Sequence, residues 1–261
     1  MIETIIYSLL VATAIGLAAG YLGSIMVLEK MALVGDALSH VALPGLAIGI
    51  LFNFNPFFGA FIFLFASAII IWHIQRVTKL SFDTIVGSTF TLALAIGVLL
   101  VPTPDLLEAL FGDISKIEAF DAVLAITVSI IAIVLTRFIY KKIVLSLISE
   151  ELAVSTGVSI AWTNLLYLLL VSLVVAIGIR ITGTLLVGYL VVTPAAAAKT
   201  ISSNLYRYMT LSSIFGAVSA FSGVLLSNYF TLPPGPLVVL SGIAIFGVVL
   251  VLRWSKIITN V

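Results

Sequence analysis

Residues 31–52 read MALVGDALSHVALPGLAIGILF. A run this long and apolar suits a membrane-spanning helix, which needs about 20 residues to cross the hydrocarbon. It nevertheless contains Asp36, His40 and Pro44. A carboxylate near the centre of such a helix costs about 2.5–3.5 kcal/mol even on the mildest scale. The stretch therefore reads as a span with one face that cannot point at lipid. Spacing of four puts Asp36 and His40 on that face, one turn apart, with Ser39 beside them.

The rest of the chain supports the membrane reading. Hydrophobic residues make up 62% of the 261 and charged residues only 9%, and mean hydropathy is +1.32. A soluble fold of this size could not cover that composition with polar surface. The net charge of +1 gives no sign of a nucleic-acid partner. With no cysteine, disulfides, thiolate metal sites and thiol catalysis are excluded. The N-terminal segment has no basic leader region and is long enough to span, so it reads as a first span and not as a signal peptide.

The expected fold is all-α: one polytopic helical bundle over 1–261, of about nine spans, with eight possible. The spans are expected near 5–28, 31–52, 56–75, 84–103, 119–140, 160–179, 183–198, 208–228 and 236–252. Breakers separate several of them, as at Asn53–Pro56, Pro102–Asp105 and Leu232–Gly235. In the nine-span arrangement ten of the 12 Lys and Arg residues, from Lys30 to Lys256, collect on one side. Only Lys116 and Arg180 fall on the other. The positive-inside rule then places the N-terminus outside and the C-terminus in the cytoplasm. Loop 104–118 falls outside and loop 141–159 inside. Gly16/Gly20 and Gly45/Gly49 are small-xxx-small pairs of the kind that let membrane helices approach closely. Two spans are interrupted by Gly and Pro, the second at Pro44-Gly45 and the seventh, Gly183 to Pro194. Paired interruptions of this sort point to a transport site.

Three readings of Asp36 and His40 stand at this point. They are a structural hydrogen-bonded pair, a cation site of mixed oxygen and nitrogen donors, or a proton relay. Two donors are too few for a closed metal site, and a symmetric dimer would double them. The loop segment Ile148 to Val158 forms a second informative stretch. Ser149 suits an N-cap, Glu150 and Glu151 suit a first turn, and Gly157 suits C′. A two-turn cytoplasmic helix follows, either an ordinary loop helix or a docking element for a partner. No G-x-x-x-x-G-K-[ST] run occurs, so a P-loop nucleotide site is absent from the sequence. No nucleophile–base pair or paired carboxylate argues for hydrolysis.

Taken together, these residues resemble the integral-membrane permease family of zinc, manganese and iron ABC importers. The resemblance is carried by GDALSHVALPGLAIG at 35–49, and by Ser81 to Thr84 with Gly87, where Phe82 departs from the family's small or acidic residue. Further matches are Leu110 to Ile114, Glu150 to Ala153 with Gly157, Leu186 to Ala196 around Thr193-Pro194, and Leu232 to Pro236. It implies a cell-membrane permease homodimer of the type II importer kind, with no permanently bound cofactor and no enzyme activity of its own. Two separate ATPase subunits would use the ATP, and an extracytoplasmic metal-binding protein would deliver the ion. Asp36 and His40 would contact the divalent metal in transit. Ser39, Pro44, Gly45 and Pro194 would line or gate the pathway. Ser149, Glu150, Glu151, Leu152 and Gly157 would form the coupling helix that meets the ATPase. The competing expectation is a proton-coupled secondary carrier using Asp36 and His40.

Overall fold

The computed structural model describes residues 2–78, 80–100 and 117–259. The expected outer loop 104–118, except for its last two residues, and the Leu110–Ile114 motif lie outside the described residues, as does Lys79. The described residues form ten helices and no strand. In chain order they are α1 (Ile2–Leu28), α2 (Ala32–Leu51), α3 (Pro56–Val77), α4 (Phe82–Leu100) and α5 (Ala119–Ile148). Then follow α6 (Glu150–Ser155), α7 (Ile160–Thr182), α8 (Thr184–Ile201), α9 (Leu205–Phe230) and α10 (Pro234–Thr259). Eight of them are long and apolar enough to cross a membrane, and Val187–Ile201 of α8 makes a shorter apolar helix. The expected polytopic all-α bundle is what the chain forms, with the lower span count joined by one short helix.

Local chemistry sets the helix ends. Asn55 caps α3, its side chain accepting from the Phe57 N–H at 3.0 Å, with Pro56 in the first turn, where no amide donor is required. Glu118 and Asp121 form a reciprocal capping box on α5. Asn204 caps α9 by accepting from the Arg207 N–H at 2.8 Å. Gly183, at φ +72°, is the single residue between α7 and α8, and only glycine takes that conformation without strain. The helix expected over 119–140 continues to Ile148. No breaker follows residue 140, so the backbone carries Lys141 and Lys142 past the apolar stretch as ordinary helix.

Packing is organised by backbone contact. On α1, a Cβ at Gly16 would run into the Gly216 carbonyl of α9, and one at Gly216 into the Gly16 carbonyl. One turn on, Gly20 lies against Ser212, whose hydroxyl donates to the Gly20 carbonyl, and the Ser213 hydroxyl donates to Leu17 O at 3.0 Å. The pair Gly45/Gly49 of α2 meets Gly59 and Pro56 of α3 in the same manner. Both sequence pairs thus mark true crossings, where small residues permit dispersion contact that lipid cannot match. α2 is the most enclosed span: 72% of its apolar window is buried, against 22% for α4 and for α10 at the periphery. α8 packs against α1, α2, α9 and α10. At the loop end of α3 the Trp72 indole N–H donates to Ala161 O at 2.7 Å, and Arg76 lies over the Trp72 ring, which ties α3 to the start of α7.

These contacts predict a graded response to added side chains. Gly216→Leu should lower the melting temperature of the detergent-solubilised protein by several degrees, because overpacking costs about 1–3 kcal/mol. Gly247→Ala should hold or slightly raise it, since nothing lies within 4 Å of a Cβ there. Equal melting temperatures for Gly216→Leu and the parent would show that the α1–α9 crossing is loose.

Candidate functional site

The enclosed helix α2 begins just after Lys30, which sits in the left-handed region at φ +58°. Asp36 follows in its second turn and is open along one edge, with its side chain 52% exposed; the His40 side chain is 11% exposed. His40 Nε2 lies 3.9 Å from Asp36 Oδ1. That is too long for a hydrogen bond, so the pair is juxtaposed without being closed on itself. An ion with ligand distances of about 2.0–2.1 Å and tetrahedral angles would set the two donors roughly 3.4 Å apart. A small side-chain rotation therefore brings both onto one cation. Phe90 of α4 meets the imidazole edge-on, 5.2 Å between ring centroids. His40 Nδ1 is buried with no hydrogen-bond partner, so the second ring nitrogen leaves the tautomer unfixed and Nε2 can present a lone pair.

Other expected pathway residues surround the pair in different ways. The Ser39 hydroxyl is fully buried and donates to the Asp36 backbone carbonyl at 2.6 Å, and so does not reach the carboxylate. Back-bonding of this kind bends a helix. Pro44 lies inside α2 and has no N–H, so the His40 carbonyl loses its intrahelical donor four residues on. Gly97 of α4 packs against Leu43 and Pro44. Gly45 is pressed on the Gly59 carbonyl of α3, which makes it a fixed crossing point beside the proline. Pro194 lies inside α8 and frees the Leu190 carbonyl in the same way. Among the described residues no group of three or more His, Cys, Asp or Glu gathers anywhere. One chain offers two donors here.

Gly188 is a site residue that the sequence reading passed over. A Cβ at Gly188 would overlap the Asp36 backbone and Cβ. Gly35 of α2 meets Val191, and Gly23 of α1 meets the Val191 carbonyl. α8 is thus wedged against α2 at the level of the carboxylate and forms the wall behind it. The only advance signal was a glycine in midspan, and midspan glycines are common in apolar helices.

The short loop helix has the expected ends. Ser149 Oγ accepts from the Leu152 N–H at 3.2 Å. Gly157 takes φ +80°, its N–H donating to Val154 O at 2.9 Å and the Val158 N–H to Ala153 O at 2.9 Å. This is a full Schellman closure. Ala153 is buried against the bundle, while Leu152 and Val154 stand exposed beside Glu150 and Glu151. α6 is therefore a rigid knob, held at both ends, with an apolar and acidic outer face.

A bundle of span-length apolar helices, with a half-open acid–imidazole pair on its most enclosed member, defines a multi-pass membrane transport protein. Residues 1–253 match the ABC 3 transport family, and the chain belongs to it. It is similar to the manganese transport system membrane protein MntC of Listeria monocytogenes, 32% identical over 243 residues, covering 92% of this chain and 87% of that one. It is 29% identical over 246 residues to the high-affinity zinc uptake system membrane protein ZnuB of Buchnera aphidicola, covering 92% and 94%. Among solved structures, PsaBC from Streptococcus pneumoniae in complex with Fab superposes with a TM-score of 0.81 at 29% identity, covering 95% of both chains.

The Gly188 contact yields a prediction. Gly188→Val should push Asp36 off its position and raise the half-saturating substrate concentration at least fivefold, with a milder rise for Gly188→Ala. Initial uptake rates across a concentration series, normalised to membrane-inserted protein, test it. An unchanged half-saturation in both variants would separate α8 from the site.

Proposed function

We propose that this chain is the permease subunit of an ABC importer for divalent transition-metal ions, forming the pathway as a homodimer in the cell membrane. Two ATPase subunits engage α6 from the cytoplasm, and an extracytoplasmic binding protein delivers the ion. The observation that carries this reading is the Asp36–His40 pair, 3.9 Å apart on the most enclosed span, with the carboxylate open along one edge. Manganese and zinc are supported by the names of the relatives; iron shares the same mixed oxygen and nitrogen chemistry. Two donors per chain become four across a dimer axis, enough to coordinate an ion, and a passage site must in addition let that ion leave. Family membership and the capped α6 favour a partner-driven permease over a proton-coupled carrier. Among the pathway residues, Ser39 positions the Asp36 backbone, and Pro44 and Pro194 supply the bends. With α8 counted as a ninth crossing, the ten-to-two distribution of basic residues supports a cytoplasmic C-terminus.

In this scheme nucleotide binding favours one arrangement of the ATPase pair, and α6 transmits that preference. The pathway changes access only to the extent that the two arrangements bind partner and ion differently. The permease holds the metal by a carboxylate and an imidazole, and supplies no group that reacts.

Metal uptake by cells producing the whole transporter tests the site. Asp36→Ala and His40→Ala should each reduce manganese or zinc accumulation at least tenfold at equal membrane abundance. Wild-type accumulation in both would remove the pair from the pathway. For the docking element, Leu152→Arg should abolish co-purification of the ATPase while leaving the permease itself folded. Full retention of the ATPase by that variant would end the assignment of α6.

A further inference from the structure

Beside α6 the bundle surface holds a cleft of about 400 Å³ that no pathway residue touches. Five parts of the chain meet there: Glu29 from the α1–α2 turn, Gln75 from α3, Ser146 from α5, Ser149 and Glu150 at the start of α6, and Asn164 from α7. Its lining contains two carboxylates and no lysine or arginine. Two surface acids alone would be an ordinary solvated pair. Here, however, Glu29 Oε1 is closed off from solvent and has no hydrogen-bond partner.

Three separate effects oppose a charge on Glu29. Burial removes water from the carboxylate, and Glu150 faces it with a like charge; together they lift its pKa to about 7. The third effect is its place in the chain. The Glu29 N–H donates to Ile25 O at 2.9 Å, so the residue closes the C-terminal end of α1, where the helix dipole also disfavours an anion. An apolar or amide side chain would be more comfortable there in the isolated subunit. A carboxylate kept under these conditions is explained by a cation that arrives from outside the chain.

We propose that the cleft receives one cationic side chain, a lysine or arginine, from the cytoplasmic ATPase subunit, which seats between Glu29 and Glu150. This rests on the reading of α6 as the docking element, because Ser149 and Glu150 are at once the N-terminal end of α6 and one wall of the cleft. A partner seated on Leu152 and Val154 covers the mouth. The lining pairs two carboxylates with apolar surface from Met31, Leu147, Ile148 and Ile160, which suits the charged head and methylene stem of a basic side chain. The opposite wall is the turn that launches α2, so the cation would tie the coupling helix to the element that carries Asp36 and His40. The contact therefore has a second consequence: it links seating of the ATPase to the ion-bearing helix by a route separate from α5 and α7.

The chain has no cysteine, which allows single-cysteine mapping in the purified permease and the permease–ATPase complex. Glu29→Cys and Val154→Cys are each treated with a cationic and an anionic methanethiosulfonate. In the free permease, Glu29→Cys should react several-fold faster with the cationic reagent, because Glu150 remains. In the complex both positions should be protected at least tenfold. Protection of Val154→Cys without protection of Glu29→Cys would overturn the cleft proposal and leave α6 docking intact. Protection of neither would overturn docking itself. Manganese binding by the purified wild-type permease without ATPase, lost in Glu29→Gln, would assign the cleft to a free cation and also overturn the proposal. In parallel, Glu29→Lys should weaken permease–ATPase association at least tenfold and Glu29→Gln by less. Raising salt should weaken the wild-type complex more than Glu29→Gln. Equal affinities for all three would exclude a seated cation.

Discussion

The constraint on which the structure depends is that α2 must bury an ionisable pair without burying it completely. Lipid cannot face Asp36, and a closed protein core would have to supply it with a permanent counter-charge. The bundle does neither. It presses α3 onto one part of α2 through Gly45 and Gly59, and α8 onto another through Gly188, and leaves one edge of the carboxylate open. Both contacts are made by backbone atoms. They fix the helix at short range without covering Asp36 with side chains, and that is why glycines and not leucines line the walls of the site.

This arrangement also explains the use of proline. Once α2 is held at Gly45, a bend at Pro44 moves the segment from Ala32 to Leu43 as a unit, with Asp36 and His40 on it. α8 has the same composition of parts: a glycine against the site, a buried proline one to two turns on, and a single left-handed glycine at its start. Two bent helices in contact at Asp36 can shift against each other with little loss of packing there, because Gly188 brings no side chain of its own to unlock. A hard-packed core would resist such a shift.

Much of this was legible in the sequence, for identifiable reasons. Span length, breakers and the capped loop helix are local properties. Ser149, Gly157 and Asn55 each do in the structure what their own chemistry dictates. The Asp36–His40 juxtaposition follows from helix periodicity alone. What escaped were the properties that depend on register between helices far apart in sequence. Gly188 lies 152 positions from Asp36, and in spans apolar on every face no periodic signal tells which glycine meets which neighbour. The overrun of α5 to Ile148 escaped because hydropathy marks where lipid ends, while a helix continues until something breaks it. Glu29 carried no signal in the sequence, because its burial is created by α3, α5 and α7 converging on a turn.

The placement of acids along the chain then follows one physical logic. Among the described residues, one kind of acid complements a helix start, as Glu150, Glu151 and Asp121 do, and a second kind stands where a cation would suit it, as Asp36 beside His40 and Glu29 beside Glu150 do. The first kind stabilises the fold unaided. Of the second kind, Glu29 is disfavoured as an anion in the isolated chain, and a nearby cation would offset that cost. Glu29 lies just before α2 and Asp36 in its second turn, so on the proposed reading two cations would act on the same end of one helix. If each is satisfied best in a different arrangement of α2, occupancy at one site must alter affinity at the other, because linkage is reciprocal. On the proposed reading, such linkage would connect a partner seated at the α1–α2 turn to Asp36 on α2, while the free energy for transport comes from the partner.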